Sequence, residues 1–128
     1  NLLAMAAMRA TLSTLVTEAV YAPMLRRAAL LAEGLRAALT RHGLPWCVTQ
    51  VGARAEFQFC AAPPRNGTEA AAAMDDALEH LIHLALLNRG VLITPFHNMM
   101  LVCPDTTDGD VQRLLEAFDA VLGELVGT

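Results

Sequence analysis

The side chains best suited to binding a small molecule fall in two short stretches of the sequence. Arg54 follows Gly52 at the start of an aromatic strand candidate, where a guanidinium can bind a carboxylate through two parallel hydrogen bonds. His97 and Asn98 follow Pro95 in a predicted turn, where they can hydrogen-bond a ligand or cap the turn. A plain surface position is an equal alternative for Arg54, and turn capping is favoured for the other two. These three residues are the candidate substrate-binding positions.

Two other polar clusters have simpler explanations. His80 and His83 are three residues apart, a spacing that can ligate a metal, but no HExxH pattern or third ligand accompanies them. Asp75, Asp76 and Glu79 could act as paired carboxylates, yet they fall in the first half of a predicted helix, where acids complement the helix dipole. We therefore expect no metal site, and no catalytic residue, in this chain.

Composition narrows the class of protein. With 128 residues, 55% of them hydrophobic, the chain is long enough for one domain with its own core. The net charge of -4 and the absence of a basic cluster argue against binding to nucleic acid or to an anionic membrane. All nine basic residues are arginines, so this chain supplies no lysine nucleophile.

Cysteine usage and the start of the chain indicate the cellular compartment and whether the chain is a fragment. Cys47, Cys60 and Cys103 are odd in number and lack CxxC spacing, which favours buried, reduced thiols and a cytoplasmic protein. The apolar start is interrupted by Arg9 and lacks a basic leader, so we expect neither a signal peptide nor a membrane span. A beginning without methionine indicates a fragment.

Hydrophobic periodicity predicts an α+β fold: a small antiparallel or mixed sheet of three to four strands, covered on one side by helices and preceded by a long N-terminal helix. The face of that first helix is too apolar for a solitary surface helix, so we expect it to pack on something outside the chain. The predicted elements are, in order, helix 2–19, a helix from Pro23 to a stop at Gly43, strands 47–51 and 55–60, a helix capped by Thr68 and running through Asn88, strands 91–93 and 99–102, and a last helix opened by a capping box of Thr107 and Asp110.

Several motifs together resemble class-III, pyridoxal-phosphate-dependent aminotransferases of fold type I, particularly the glutamate-1-semialdehyde aminomutase-like members. The segment from Leu3 to Leu12 looks like the family's exit from its large domain, and the one around Gln50-Val51-Gly52 like its VGSMF region. Asn88-Arg89-Gly90-Val91, followed by Thr94-Pro95, looks like its RGV…PS segment. The sequence departs from that pattern around Arg54 and after Pro95, so the aminomutase's substrate is not carried over.

The resemblance implies that this chain is the C-terminal small domain of such an enzyme, with residues 1–20 as a linker helix and residues 21–128 as the domain itself. The Schiff-base lysine and most contacts to pyridoxal phosphate would then lie in a missing large domain, in a homodimer. Residues of the small domain would close and shape the substrate site, and the fragment alone would be inactive and would not bind the cofactor tightly. The alternative is a free-standing α+β module that buries its first helix in a partner without catalysis.

Overall fold

A computed structural model describes residues 1–94 and 97–127 of the chain. Helix α1 (Leu2–Thr14) is capped by Asn1, whose side chain accepts a hydrogen bond from the N–H of Leu3 at 2.9 Å. Helix α2 (Glu18–Arg41) follows after a short break. The predicted boundary between these helices is wrong, because the backbone is already extended at Thr17 (φ -120°, ψ 155°) and Pro23 lies inside α2. Pro23 is the sixth residue of α2, so the helix lacks one backbone hydrogen bond there, the one that the N–H of another residue would donate to the carbonyl of Ala19.

The sheet has three strands, β1 (Cys47–Val51), β2 (Arg54–Gln58) and β3 (Met99–Leu101), in the order β1-β2-β3 and antiparallel throughout. Gly52 makes the tight turn between β1 and β2. Its φ angle of +57° is one that residues with a side chain adopt less readily. The α+β fold and the antiparallel sheet predicted from the sequence are confirmed.

The predicted strand at residues 91–93 is wrong, although its apolar pattern has a structural cause. Val91 and Ile93 are buried at 8% and 4% exposure, while Leu92 between them is 74% exposed. The N–H of Val91 donates to the carbonyl of Leu86 at the end of the preceding helix, rather than to a neighbouring strand. Alternating burial therefore occurs here in an irregular segment, without the ladder that defines a strand.

The predicted helix from residue 68 to 88 is two helices, α3 (Gly67–Ala72) and α4 (Asp76–Leu87). Asp75 caps α4 by accepting from the N–H of Leu78 at 3.0 Å, and a carboxylate in that position competes with a continuous helix. Asn66, not Thr68, caps α3 by accepting from the N–H of Glu69. Sequence periodicity alone did not reveal this break.

The last helix, α5 (Asp108–Val126), packs with α2 on one face of the sheet. The predicted capping box is confirmed, since Thr107 and Asp110 exchange side-chain and backbone hydrogen bonds. The rings of Phe57 and Phe118 meet at the centre of the core with centroids 5.0 Å apart. The core thus lies between one sheet face and these two helices, and Ile82 and Leu86 of α4 complete it.

Helix α1 contributes nothing to this core, because none of its residues is buried. Its predicted apolar face is exposed, with Met5, Met8 and Leu12 at 57–60% exposure. In the described part of the chain no single helix has the length and hydropathy of a membrane span; α1 and α2 meet that test only together, across a bend of 81°.

Candidate functional site

Strand β2 divides the domain into a buried side and a polar side. Ala55 and Phe57 point into the core with no exposed surface, whereas Arg54, Glu56 and Gln58 alternate with them on the opposite face. Because directly paired residues of antiparallel strands share a face, the polar row is flanked by side chains from β1 and β3. The sheet face turned away from the core helices therefore carries the polar groups.

The polar row is internally hydrogen-bonded. Nη2 of Arg54 donates to Oε2 of Glu56, and Nε2 of Gln58 donates to Oε1 of the same carboxylate at 2.8 Å. The Arg54 side chain is 47% exposed and that of Glu56 is 13% exposed, so the guanidinium reaches solvent above a largely covered partner. Arg54 thus has a carboxylate partner within the chain, and an external carboxylate would have to compete with Glu56 or bind beside it.

The turn that carries His97 and Asn98 has an unusual backbone. Both residues have positive φ angles, +61° and +46°, which few residues other than glycine adopt without cost. Thr94 holds the turn closed: its hydroxyl donates to the carbonyl of Met99 at 2.8 Å and accepts from the N–H of Met99 at 3.2 Å. Asn98 is buried at 4% exposure, whereas His97 is exposed. Pro95, which precedes them, lies outside the described residues.

The structure brings the three candidate residues together. A hollow of about 270 Å³ lies on the polar side of the sheet and is walled by β2, the α3–α4 segment and the turn. Its lining residues are Arg54, Glu56, Phe57, Gln58, Ala70, Ala73, Met74, Glu79, His97 and Asn98. Arg54 and the turn of His97 and Asn98, which are far apart in the sequence, therefore share one concave surface.

Two acidic residues of this hollow were not predicted. Glu56 could have been found, because strand alternation places it two residues from Arg54 on the same face. Glu79 was predicted to be a helix-dipole acid off the apolar stripe, but it is 8% exposed and shares a face of α4 with the buried Ile82 and Leu86. It lies in the first turn of α4, which agrees with the predicted position in the first half of a helix.

The charges in the hollow define what it can bind. The guanidinium of Arg54 and the carboxylates of Glu56 and Glu79 all line the hollow, so it offers groups that can pair with a carboxylate and with an amino group. The chain contains no lysine, so it cannot form the covalent link to pyridoxal phosphate that the resemblance implies. No group of three His, Cys, Asp or Glu side chains arranged for a metal occurs in residues 1–94 and 97–127.

The cysteines differ from the prediction of three buried thiols. All three are free, as predicted, but Cys47 is buried, Cys60 is half-buried and Cys103 is exposed. Burial raises the pKa of Cys47 to about 11, and a hydrogen bond with Cys60 contributes to the same shift. A hydrogen bond from Thr106 lowers the pKa of the exposed Cys103.

Comparison with known proteins agrees with the motifs. No protein-family model matches the chain. A glutamate-1-semialdehyde 2,1-aminomutase from Chlorobium chlorochromatii is 31% identical over 119 residues, covering 91% of this chain and 27% of that protein. The crystal structure of a glutamate-1-semialdehyde-aminomutase from Pseudomonas aeruginosa PAO1 is 50% identical with a TM-score of 0.91, over 94% of this chain and 26% of that one. A variant of that protein in complex with PMP gives the same values.

A β-phenylalanine aminotransferase from Variovorax paradoxus shares the fold with a TM-score of 0.71 at 24% identity, over 80% of this chain and 23% of that one. The likeness to the two aminomutases confirms the resemblance to class-III, pyridoxal-phosphate-dependent aminotransferases, whereas the likeness to the V. paradoxus enzyme shows the fold alone. The aminomutase from P. aeruginosa is more similar to this chain than the V. paradoxus aminotransferase is. The chain spans about a quarter of the length of these relatives.

Proposed function

We propose that this chain is the C-terminal small domain of a class-III aminotransferase or aminomutase, which moves an amino group between an amino acid and a keto or aldehyde acceptor. The observation that carries the proposal is the 50% identity to the P. aeruginosa aminomutase over 94% of this chain but only 26% of that protein. Pyridoxal phosphate, bound largely by the rest of the enzyme, supplies the electron sink for chemistry at the amino-bearing carbon.

Within the small domain, Arg54 binds the substrate carboxylate, and His97 and Asn98 line the edge of the site. The exposed guanidinium supports this role, because three of its five N–H donors lie on atoms other than the Nη2 that contacts Glu56. The strained turn supports the role of His97 and Asn98, since unfavourable backbone angles are concentrated at functional sites. The domain thereby shapes the substrate site and closes it.

The same proposal assigns residues 1–20, which comprise α1, the break after it and the start of α2, to a linker from the large domain, and residues 21–128 to the small domain. The exposed apolar face of α1 supports a contact with the missing large domain, because such a face is costly in water. We further propose a cytoplasmic homodimer as the working enzyme.

Substitution of Arg54 in the full-length enzyme tests the role of its guanidinium. A lost charge-assisted pair is worth about 1.5–3 kcal/mol, so Arg54→Ala should raise KM for the amino acid by roughly 10- to 100-fold. Arg54→Lys should recover part of the loss, since it restores charge without the bidentate geometry. The matched control is Arg65→Ala, which removes an exposed arginine paired with Glu69 outside the hollow. Unchanged KM and kcat in Arg54→Ala would show that the assignment is wrong.

The mass and cofactor content of the natural protein test the broader proposal. A natural protein several times heavier than 13.7 kDa, with a visible cofactor absorbance that borohydride alters, would agree with a small domain of a larger enzyme. A natural protein of 13.7 kDa that folds as a stable monomer would instead favour the free-standing binding module.

A further inference from the structure

Two cysteines that are distant in the sequence lie in contact at one end of the polar sheet face. Sγ of Cys47, in the first residue of β1, is 3.8 Å from Sγ of Cys60. A disulfide bond is about 2.05 Å long. The two sulfur atoms would therefore have to approach each other by somewhat less than 2 Å to form one. The sequence spacing gave no sign of this pair, because the β1–β2 hairpin is what brings the two residues together.

The backbone around Cys60 is placed to allow the remaining approach. Strand β2 ends at Gln58, so Cys60 lies beyond the ladder, in the bend that precedes α3. Its thiol donates to the carbonyl of Ala62 at 3.2 Å, a local contact that rotation about the side chain would break. Cys47 is fixed in the sheet, whereas Cys60 is half-buried and reachable from solvent.

We propose that Cys47 and Cys60 form a peroxide-sensitive dithiol site that closes to an intramolecular disulfide. Hydrogen peroxide oxidises the more exposed Cys60 thiol to a sulfenic acid and releases one water. The sulfur of Cys47 then attacks the Cys60 sulfur, its proton leaves with the hydroxyl as a second water, and the S–S bond forms. Two electrons pass from the thiols to peroxide, and a dithiol reductant reverses the change.

The site is connected to the polar row by hydrogen bonds. The thiol of Cys47 contacts Oε1 of Gln58 at 3.6 Å, and Gln58 in turn donates to Glu56, the partner of Arg54. Closing the disulfide removes the thiol proton that faces Gln58. Oxidation therefore changes the surroundings of Arg54 through the side chains of Gln58 and Glu56. This consequence for substrate binding rests on the proposed function, whereas disulfide formation does not.

Peptide mapping of the full-length protein tests the proposal directly. The chain has no lysine, so trypsin cuts it only after arginine, and Arg54 separates Cys47 (residues 42–54) from Cys60 (residues 55–65). After treatment with hydrogen peroxide and alkylation of free thiols, we expect these two peptides to be joined, with equal loss of both free thiols. Dithiothreitol should restore them. Cys103, exposed and on residues 90–113, is the internal control and should not appear in the joined pair.

Two variants separate the disulfide from unrelated oxidation. In Cys47→Ser, Cys60 should proceed to sulfinic acid because its resolving thiol is gone. In Cys60→Ser, the buried Cys47 should remain reduced. Irreversible oxidation of Cys60 in the unaltered protein, at the rate seen in Cys47→Ser, would overturn the proposal. So would linkage of either cysteine to Cys103. Activity is a separate readout: a joined pair with unchanged KM would refute only the connection to Arg54.

Discussion

The two faces of strand β2 differ sharply although they are built from adjacent residues. On the core side, Ala55 and Phe57 have no exposed surface and pack against helices. On the other side, Arg54 and Glu56 form an ion pair whose arginine end is 47% exposed. The same five-residue strand thus carries core packing on one side and paired polar groups on the other.

The two faces contribute differently to stability because burial of an apolar side chain and pairing of exposed charges differ in free energy. Burial of a phenylalanine side chain contributes about 1.5–3 kcal/mol before packing is counted, whereas a solvent-exposed ion pair contributes about 0–1 kcal/mol. The exposed arginine end of the polar row should therefore contribute less to the stability of the fold than Phe57 does. Substitutions on each face should show this separation.

The largest effect is expected from Phe57→Ala on the core side. Phe57 lies at the centre of an aromatic group, with ring centroids 5.0 Å from Phe118 and 6.0 Å from Trp46. Its truncation should lower the free energy of unfolding by about 3–5 kcal/mol, measured by urea unfolding. Gln58→Ala, one residue away on the opposite face, is the control and should cost about 1 kcal/mol. Similar losses in both variants would contradict the division between the faces.

The separation of the faces was largely predictable, because alternation of small or aromatic residues with polar ones is a direct property of an extended strand. The capping box at Thr107 and Asp110 and the turn at Gly52 were likewise encoded in a few neighbouring residues. Local patterns of this kind depend on backbone geometry alone. They are therefore readable without knowing the fold.

Features set by tertiary contacts were not predictable in this way. The segment at Val91 and Ile93 alternates like a strand, but the N–H of Val91 donates to the carbonyl of Leu86 at a helix end. The approach of Cys60 to Cys47 depends on the hairpin and on the bend after it. Of the candidate site, Arg54 was identified by residue type, but its pairing with Glu56 depends on side-chain conformation.

The second, intermediate effect is a loss of stability at high pH that depends on Cys47, at the edge of the polar side of the sheet. Because burial raises the pKa of Cys47 from 9.0 to about 11, the folded state holds its thiol proton at a pH where the unfolded state has released it. This contribution to stability is complete below pH 9 and is lost as pH rises to about 11. Urea unfolding across that range should give a steeper decline for the unaltered protein than for Cys47→Ala. Equal slopes would show that Cys47 is not protected from ionisation by the fold.

The smallest effect on stability, and the most informative one for the site, is expected from Glu56→Gln. This change removes the charge that faces Arg54 but keeps a side chain that can accept hydrogen bonds from Arg54 and Gln58. The free energy of unfolding should fall by less than about 1 kcal/mol, because the arginine end is hydrated. In the full-length enzyme, KM for the amino acid should fall, since a substrate carboxylate no longer competes with Glu56 for the guanidinium. A loss of several kcal/mol with unchanged KM would show that the Arg54–Glu56 pair stabilises the fold and that the polar side of β2 does not bind substrate.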